Sequence, residues 1–182
     1  VLTSVDRDDL PDGGAEFWAT TVRRVKEVNP KVTLETLIPD FNGIEEFINT
    51  VIDSGPNIVS HNMETVRRLT PKVRSRAKYD ISLKTIETIA KSGKAKPKSG
   101  VMLGLGETEE ELFETMDDLI NVGCKVLTIG QYLQPTKKHL TVKRYVTPDE
   151  FLRYKEVGLE KGFQFVESGP LVRSSYRAER HI

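Results

Sequence analysis

Ser99-Gly100-Val101-Met102-Leu103-Gly104-Leu105-Gly106-Glu107-Thr108-Glu109-Glu110-Glu111 sets the fold class. Its first five residues read as a short buried strand, Gly104 and Gly106 as a tight turn, and Thr108 with Glu111 as a capping box opening a helix. That helix turns Leu112, Met116, Leu119 and Ile120 inward, and Val126-Leu127-Thr128-Ile129 follows as the next strand. A strand, a helix and a second strand in one run form a unit whose two strands lie parallel.

The same alternation extends both ways. Val1 to Val5 reads as a strand already in progress, which predicts sequence upstream. Asp12 to Val28 reads as a helix with Trp18, Val22 and Val25 on one stripe, and Val32 to Ile38 as a strand. Ile44, Phe47, Ile48, Val51 and Ile52 fall at helical spacing, and Asn57 to Ser60 is a short strand after Gly55-Pro56. A longer helix is expected around Leu83, Ile86, Ile89 and Ala90, then a solvated basic loop at Lys94, Lys96 and Lys98. Thr147-Pro148-Asp149-Glu150 is a second capping box, its helix ends at Gly162, and Phe163 to Val166 gives a last strand. A partial barrel and an open doubly wound sheet both satisfy this order. No linker divides the chain, so residues 1–182 read as one domain.

Composition narrows the function. Lysine plus arginine and aspartate plus glutamate both number 27, so no net field draws nucleic acid or an anionic membrane surface. No apolar run reaches membrane-spanning length. Cys124 is the single cysteine, which excludes an internal disulfide and a four-thiolate iron–sulfur site built from these residues alone, and fits a reducing compartment. Flanked by Gly123 and Lys125 where a helix meets a strand, it reads as a buried structural thiol.

In parallel α/β architectures ligands gather beyond the C-terminal strand ends. The polar residues following each strand are therefore the candidates. They are Asp6, Arg7, Asp8 and Asp9, then Asp40, then His61, Asn62 and Glu64, then Gly104 to Glu107, and finally Gln131, Tyr132 and Gln134. Each has a plainer reading. Asp6 to Asp9 could be a solvated turn with Asp12 capping the next helix, or Arg7 could clamp a polar ligand. His61 could be a hydrogen-bonded loop histidine. Gly104 and Gly106 would let a ligand approach the backbone, with Glu107 adding an anion that favours an amine or ribose hydroxyl over phosphate. Near the end, Arg173-Ser174-Ser175-Tyr176-Arg177-Ala178 gathers charge, hydroxyls and an aromatic ring after the Ser168-Gly169-Pro170 turn.

Several of these strings together resemble lipoyl synthase, a radical S-adenosylmethionine (SAM) family. They are Val1 to Gly14, His61-Asn62-Met63-Glu64-Thr65-Val66, Met102 to Thr108, Gly130-Gln131-Tyr132-Leu133-Gln134-Pro135-Thr136, His139-Leu140-Thr141-Val142, Tyr145-Val146-Thr147-Pro148 and Ser168 to Ala178. The resemblance implies a partial (β/α)6 TIM-like barrel of the radical SAM type, lacking its N-terminal part, with residues 163–182 as terminal strand and cluster-ligating tail. It implies two [4Fe–4S] clusters, one binding and cleaving SAM and one consumed as sulfur source. The reaction it implies is insertion of two sulfurs at carbons 6 and 8 of a protein-bound octanoyl-lysine.

By the same resemblance Ser175 ligates the auxiliary cluster and Arg173 stands beside it. Asp6 and Arg7 lie near the methionine part of SAM. Gly104, Gly106 and Glu107 form the turn near its adenine and ribose. His61, Asn62, Gln131 and Leu133 are further cofactor or substrate contacts. The implied partners are octanoylated lipoyl carrier domains (2-oxoacid dehydrogenase E2 subunits and the glycine cleavage H protein) and an electron donor such as ferredoxin or flavodoxin. The implied location is bacterial cytoplasm or an organelle matrix. The family's two three-cysteine sets are missing from these residues, so the isolated stretch is expected to be inactive. A non-catalytic α/β module binding SAM or a carrier protein is the competing reading, and a biotin-synthase-like enzyme a third that the Arg173 to Tyr176 string disfavours.

Overall fold

A computed structural model describes residues 1–181. Six strands run parallel in the order of the chain: β1 (Leu2–Thr3), β2 (Glu35–Leu37), β3 (Ile58–Ser60), β4 (Lys96–Leu103), β5 (Val126–Gln131) and β6 (Phe165–Gly169). The principal crossover helices are α1 (Ala15–Val28), α2 (Glu45–Asp53), α4 (Tyr79–Ser92), α5 (Glu109–Asn121) and α6 (Pro148–Lys161), with a single turn, α3 (Thr70–Val73), ahead of α4. A strand order that never reverses, with the helices packed on one face, makes an unclosed TIM-like barrel and excludes the doubly wound sheet.

The two faces of the sheet differ sharply. One buries Val59, Val101, Leu103, Leu127, Ile129 and Val166 against Ile48, Ile86, Leu112, Met116 and Phe151 of the helices. Fully burying each such side chain stabilises by about 1.5–3 kcal/mol, so this layer holds the fold. The alternate residues face the concave side, and many are polar or glycine: Glu35, Ser60, Lys98, Gly100, Thr128 and Gly130.

Local boundaries follow from caps. Asp12 accepts from Gly14 N and Glu16 N, both at 2.9 Å, so α1 begins at Ala15 and not at Asp12. Both predicted capping boxes form, at Thr108–Glu111 and Thr147–Glu150, and Gly162 ends α6 at φ 110°. β1 and β2 are shorter than their apolar runs, and β6 starts two residues later than expected.

The basic loop is a correction. β4 already begins at Lys96, and Lys98 is wholly buried, its Nζ 2.9 Å from both carboxylate oxygens of Glu35. A lysine enters a sheet interior only with such a partner.

Beyond β6 the tail, residues 170–181, turns back across the concave face. Val172 O lies so close to Gly130 that a Cβ there would stand 2.3 Å from it. His181 of the tail is fully buried near the N-terminal strand ends, with Nδ1 3.3 Å from Lys98 Nζ and its ring 5.8 Å from that of Phe165. Burial and the neighbouring ammonium of Lys98 push His181 down to about 4.

Candidate functional site on the concave face

Two cavities open where the sequence places chemistry. The larger, about 570 Å³, lies beyond β1 and β2 and is lined by Asp6, Arg7, Asp40, Phe41, Arg74 and Arg76, among others. Arg7 is held there by Asp9, with Nε and Nη2 2.7 and 2.6 Å from the two carboxylate oxygens. Its fork is closed by its own loop, while the Asp6 side chain has no ion-pair partner among the described residues.

The smaller pocket, about 150 Å³, lies on the concave face between β3, β4, β5 and the tail. Asn62, Glu64, Gly100, Thr128, Gly130, Arg173 and Ser174 line it. Gly100 keeps it open, since a Cβ would stand 2.6 Å from Thr128 Oγ1 and 2.9 Å from Asn62 Oδ1. Asn62 Nδ2 donates to Glu64 Oε1 at 3.1 Å, whereas Asn62 Oδ1 is buried with no hydrogen-bond partner. A buried acceptor left in that state costs free energy that a ligand donor would recover.

Glu64 is the residue whose weight the sequence understated. It adopts a left-handed φ of 64°, pinned by its N–H to Gly100 O at 3.0 Å and its carbonyl accepting from Met102 N at 2.8 Å. Strained backbone of this kind persists where the surroundings hold it in place. Burial raises the Glu64 carboxyl above the ordinary range. The signal that could have found it is the Asn62-x-Glu64 pair directly after an apolar strand.

Three other candidates are turned to structural work. His61 does not face the pocket. Its Nδ1 lies 2.9 Å from Ile38 O, and its Nε2 lies 2.9 Å from Ser82 Oγ, which in turn accepts from Arg74 at 2.7 Å. That arrangement fits a neutral ring, and burial pushes His61 down to about 4. Gln131 Nε2 reaches Leu103 O, Tyr132 O and Arg144 O at 3.0, 3.0 and 3.2 Å, and Oε1 accepts from Val146 N at 2.9 Å. It ties the strap 132–146 to the sheet, with both amide atoms engaged by backbone. Glu107 folds back to accept from Gly104 N and Leu105 N at 2.6 and 2.9 Å, so both carboxylate oxygens are engaged by the turn itself.

Gly104 and Gly106 take φ of 100° and 105°. No Cβ fits at Gly104, where Gln131 Nε2 and Arg144 O would lie 2.3 and 2.5 Å away. Leu133 is 44% exposed on the rim. Arg173 and Ser175 are exposed on the tail, and Arg173 and Ser174, not Ser175, line the pocket. Cys124 is buried at the far end of β5, where burial pushes the thiol up to about 12. No group of three or more His, Cys, Asp or Glu that could hold a metal ion exists among the described residues.

The pocket geometry can be set beside known proteins. The radical SAM superfamily model matches residues 1–119. The chain belongs to the radical SAM superfamily. Among curated relatives, the lipoyl synthases of Bacteroides thetaiotaomicron and Treponema denticola are 62% and 60% identical over all 182 residues. The chain spans 64% and 62% of their respective lengths. Among solved structures, a domain of a Bacteroides vulgatus pyruvate-formate lyase-activating enzyme superposes with a TM-score of 0.69 at 10% identity, covering 92% of this chain and 98% of that one. Methylornithine synthase superposes with a TM-score of 0.58 at 16% identity, covering 84% and 51%. At such identities these likenesses bear on the fold alone.

Proposed function

We propose that these residues form the SAM-binding and substrate-facing part of a lipoyl synthase. Identity near 60% over all 182 residues, a span that includes the concave pocket and the Arg173 to Ala178 tail, carries the reading. In the complete enzyme, SAM and a reduced cluster would together supply a carbon radical able to take hydrogen from an octanoyl chain.

The residues present fit SAM. Asn62 Oδ1 offers an unpaired acceptor and Glu64 a second one, suited to ribose hydroxyls, while the missing side chain at Gly100 leaves room beside both. Asp6 would meet the amino-acid end from the larger cavity. His61, Gln131 and Glu107 act behind this surface as positioning residues. They do not fit two clusters, because the one thiol, Cys124, is buried away from the mouth. Ser175 is exposed on the tail and free to ligate a cluster whose thiolates come from elsewhere in the protein, with Arg173 beside it. For the isolated 182 residues, that lone thiol favours binding without turnover.

The test uses the full-length protein with both clusters reconstituted, an octanoylated carrier domain, SAM and reductant, with lipoyl product read by mass spectrometry. Product is expected, and Ser175→Ala is expected to lower it by at least a hundredfold with SAM binding retained. Undiminished product from that variant would remove Ser175 from the proposal.

A further inference from the structure

One face of the rim is left over once the pocket is accounted for. The strap 132–146 contains five cationic or imidazole side chains, Lys137, Lys138, His139, Lys143 and Arg144, and no acidic one. The tail from Pro170 to Ala178 likewise has no acid. Arg144 is paired with Glu150 at 2.6 Å, whereas Lys137, Lys138, Lys143 and Arg177 are in no ion pair among the described residues. In a chain of zero net charge this is a concentrated positive edge.

Apolar side chains share it. Tyr145 is 70% exposed and Leu171 80% exposed, with Leu133 beside them on the rim. Gly130 pairs with Gly169 across β5 and β6, so Leu133 and Leu171 leave adjacent strand ends.

The strap is held firmly. Tyr132 Oη donates to Leu140 O at 2.8 Å, Lys143 N donates to Gly104 O at 2.7 Å, and Gln134 Nε2 donates to His139 O at 2.9 Å. Beneath it, Tyr132 packs with Val66, Leu69 and Leu105 in a small separate core. A surface fixed in advance loses little conformational entropy on binding, and unpaired cations on the same strap and tail as exposed apolar side chains match an acidic protein surface with an apolar element to bury.

We propose that this rim docks the carrier domain, and that the contacted face of that domain is acidic. Lys137, Lys138 and Lys143 steer and register it, while Leu133, Tyr145 and Leu171 cover the base of its acylated arm as it enters the concave pocket. The inference rests on the carrier-dependent reading above and adds the surface and its sign.

The experiment compares two substrates of the full-length, cluster-loaded enzyme: an octanoylated carrier domain and a short octanoyl-lysine peptide. Lys137→Glu combined with Lys138→Glu is expected to weaken carrier binding at least tenfold, measured by calorimetry at low salt, and to flatten its salt dependence. Peptide turnover is expected to stay within twofold. Tyr145→Ala, which introduces no charge, is expected to weaken carrier binding about fivefold and keeps the test open should the double variant fold poorly. Unchanged carrier binding in both variants overturns the docking surface, as does a parallel loss of peptide turnover, which would place the lysines in the fold or the chemistry. Absence of lipoyl product from the wild-type enzyme would instead count against the function, and carrier binding would still be read independently.

Discussion

The strand ends of β3 and β5 carry similar side chains put to opposite uses. Asn62, just past β3, uses its amide nitrogen on Glu64 and leaves its buried oxygen without a partner. Gln131, at the end of β5, is surrounded by three carbonyls and an N–H and is fully engaged. The difference teaches where binding capacity resides. A rim amide whose partners are all backbone atoms of its own chain builds the scaffold, and one with an orphaned atom facing a cavity is available to a ligand. The Lys98–Glu35 pair belongs with Gln131, as buried polarity already satisfied.

The largest break expected falls on that satisfied side. Glu35→Ala would strand a buried ammonium at Lys98 and is expected to lower unfolding free energy by about 3–5 kcal/mol, read by urea unfolding. Joint replacement of Lys98 by Met and Glu35 by Leu should restore part of the loss, since His181 Nδ1 and Ser60 Oγ each still lose a partner, and no recovery at all would mean that the stranded charge is not the cause.

Gln131→Ala comes next. Arg144 O and Val146 N would lose their partner, for an expected cost of about 2–3 kcal/mol. Faster amide hydrogen exchange at Val146 should report it, and unaltered exchange there would show that the strap holds without the glutamine.

Acid gives a third effect. His61 and His181 both have folded values near 4, below the ordinary histidine value of 6.5. The unfolded chain therefore binds more protons between those values. The histidine contribution is complete above about pH 6.5 and lost as pH falls toward 4. Urea midpoints should drop between pH 7 and pH 5, and His181→Asn should reduce that slope. An equal slope in the variant would show that the tail does not depend on a neutral imidazole.

The smallest stability change is expected for Asn62→Ala, under about 1 kcal/mol, because relief of its unpaired buried oxygen offsets loss of the Nδ2 bond to Glu64.

Much of the fold is legible in the residues. Two capping boxes, the Gly162 stop and the apolar strand runs specify the alternation and the ends of α5 and α6, while most strand boundaries shift by one to three residues. The choice of barrel over doubly wound sheet is not local, since it depends on strand order and on which face the helices cover. Alternation within β4 did carry a hint, because Lys96, Lys98 and Gly100 share a side that an ordinary two-faced buried strand would fill with apolar groups. The burial of Lys98 is not legible locally, because its partner, Glu35, lies 63 residues away in sequence. At the site, the residues after each strand can be named from the sequence, but which of their side chains stay free of backbone partners is not legible there. His61 and Gln131 lose their capacity to Ile38, Ser82, Leu103 and Arg144, contacts made only on folding. Glu64 gains importance from a left-handed backbone that its side-chain type does not announce.

The most direct measurement is SAM affinity of the full-length, cluster-loaded protein by equilibrium dialysis, for the wild type and Asn62→Ala. The concave pocket predicts a loss of about tenfold or more, equivalent to about 1.4 kcal/mol, with the urea midpoint nearly unchanged. Wild-type affinity in Asn62→Ala would contradict placement of the cofactor in that pocket.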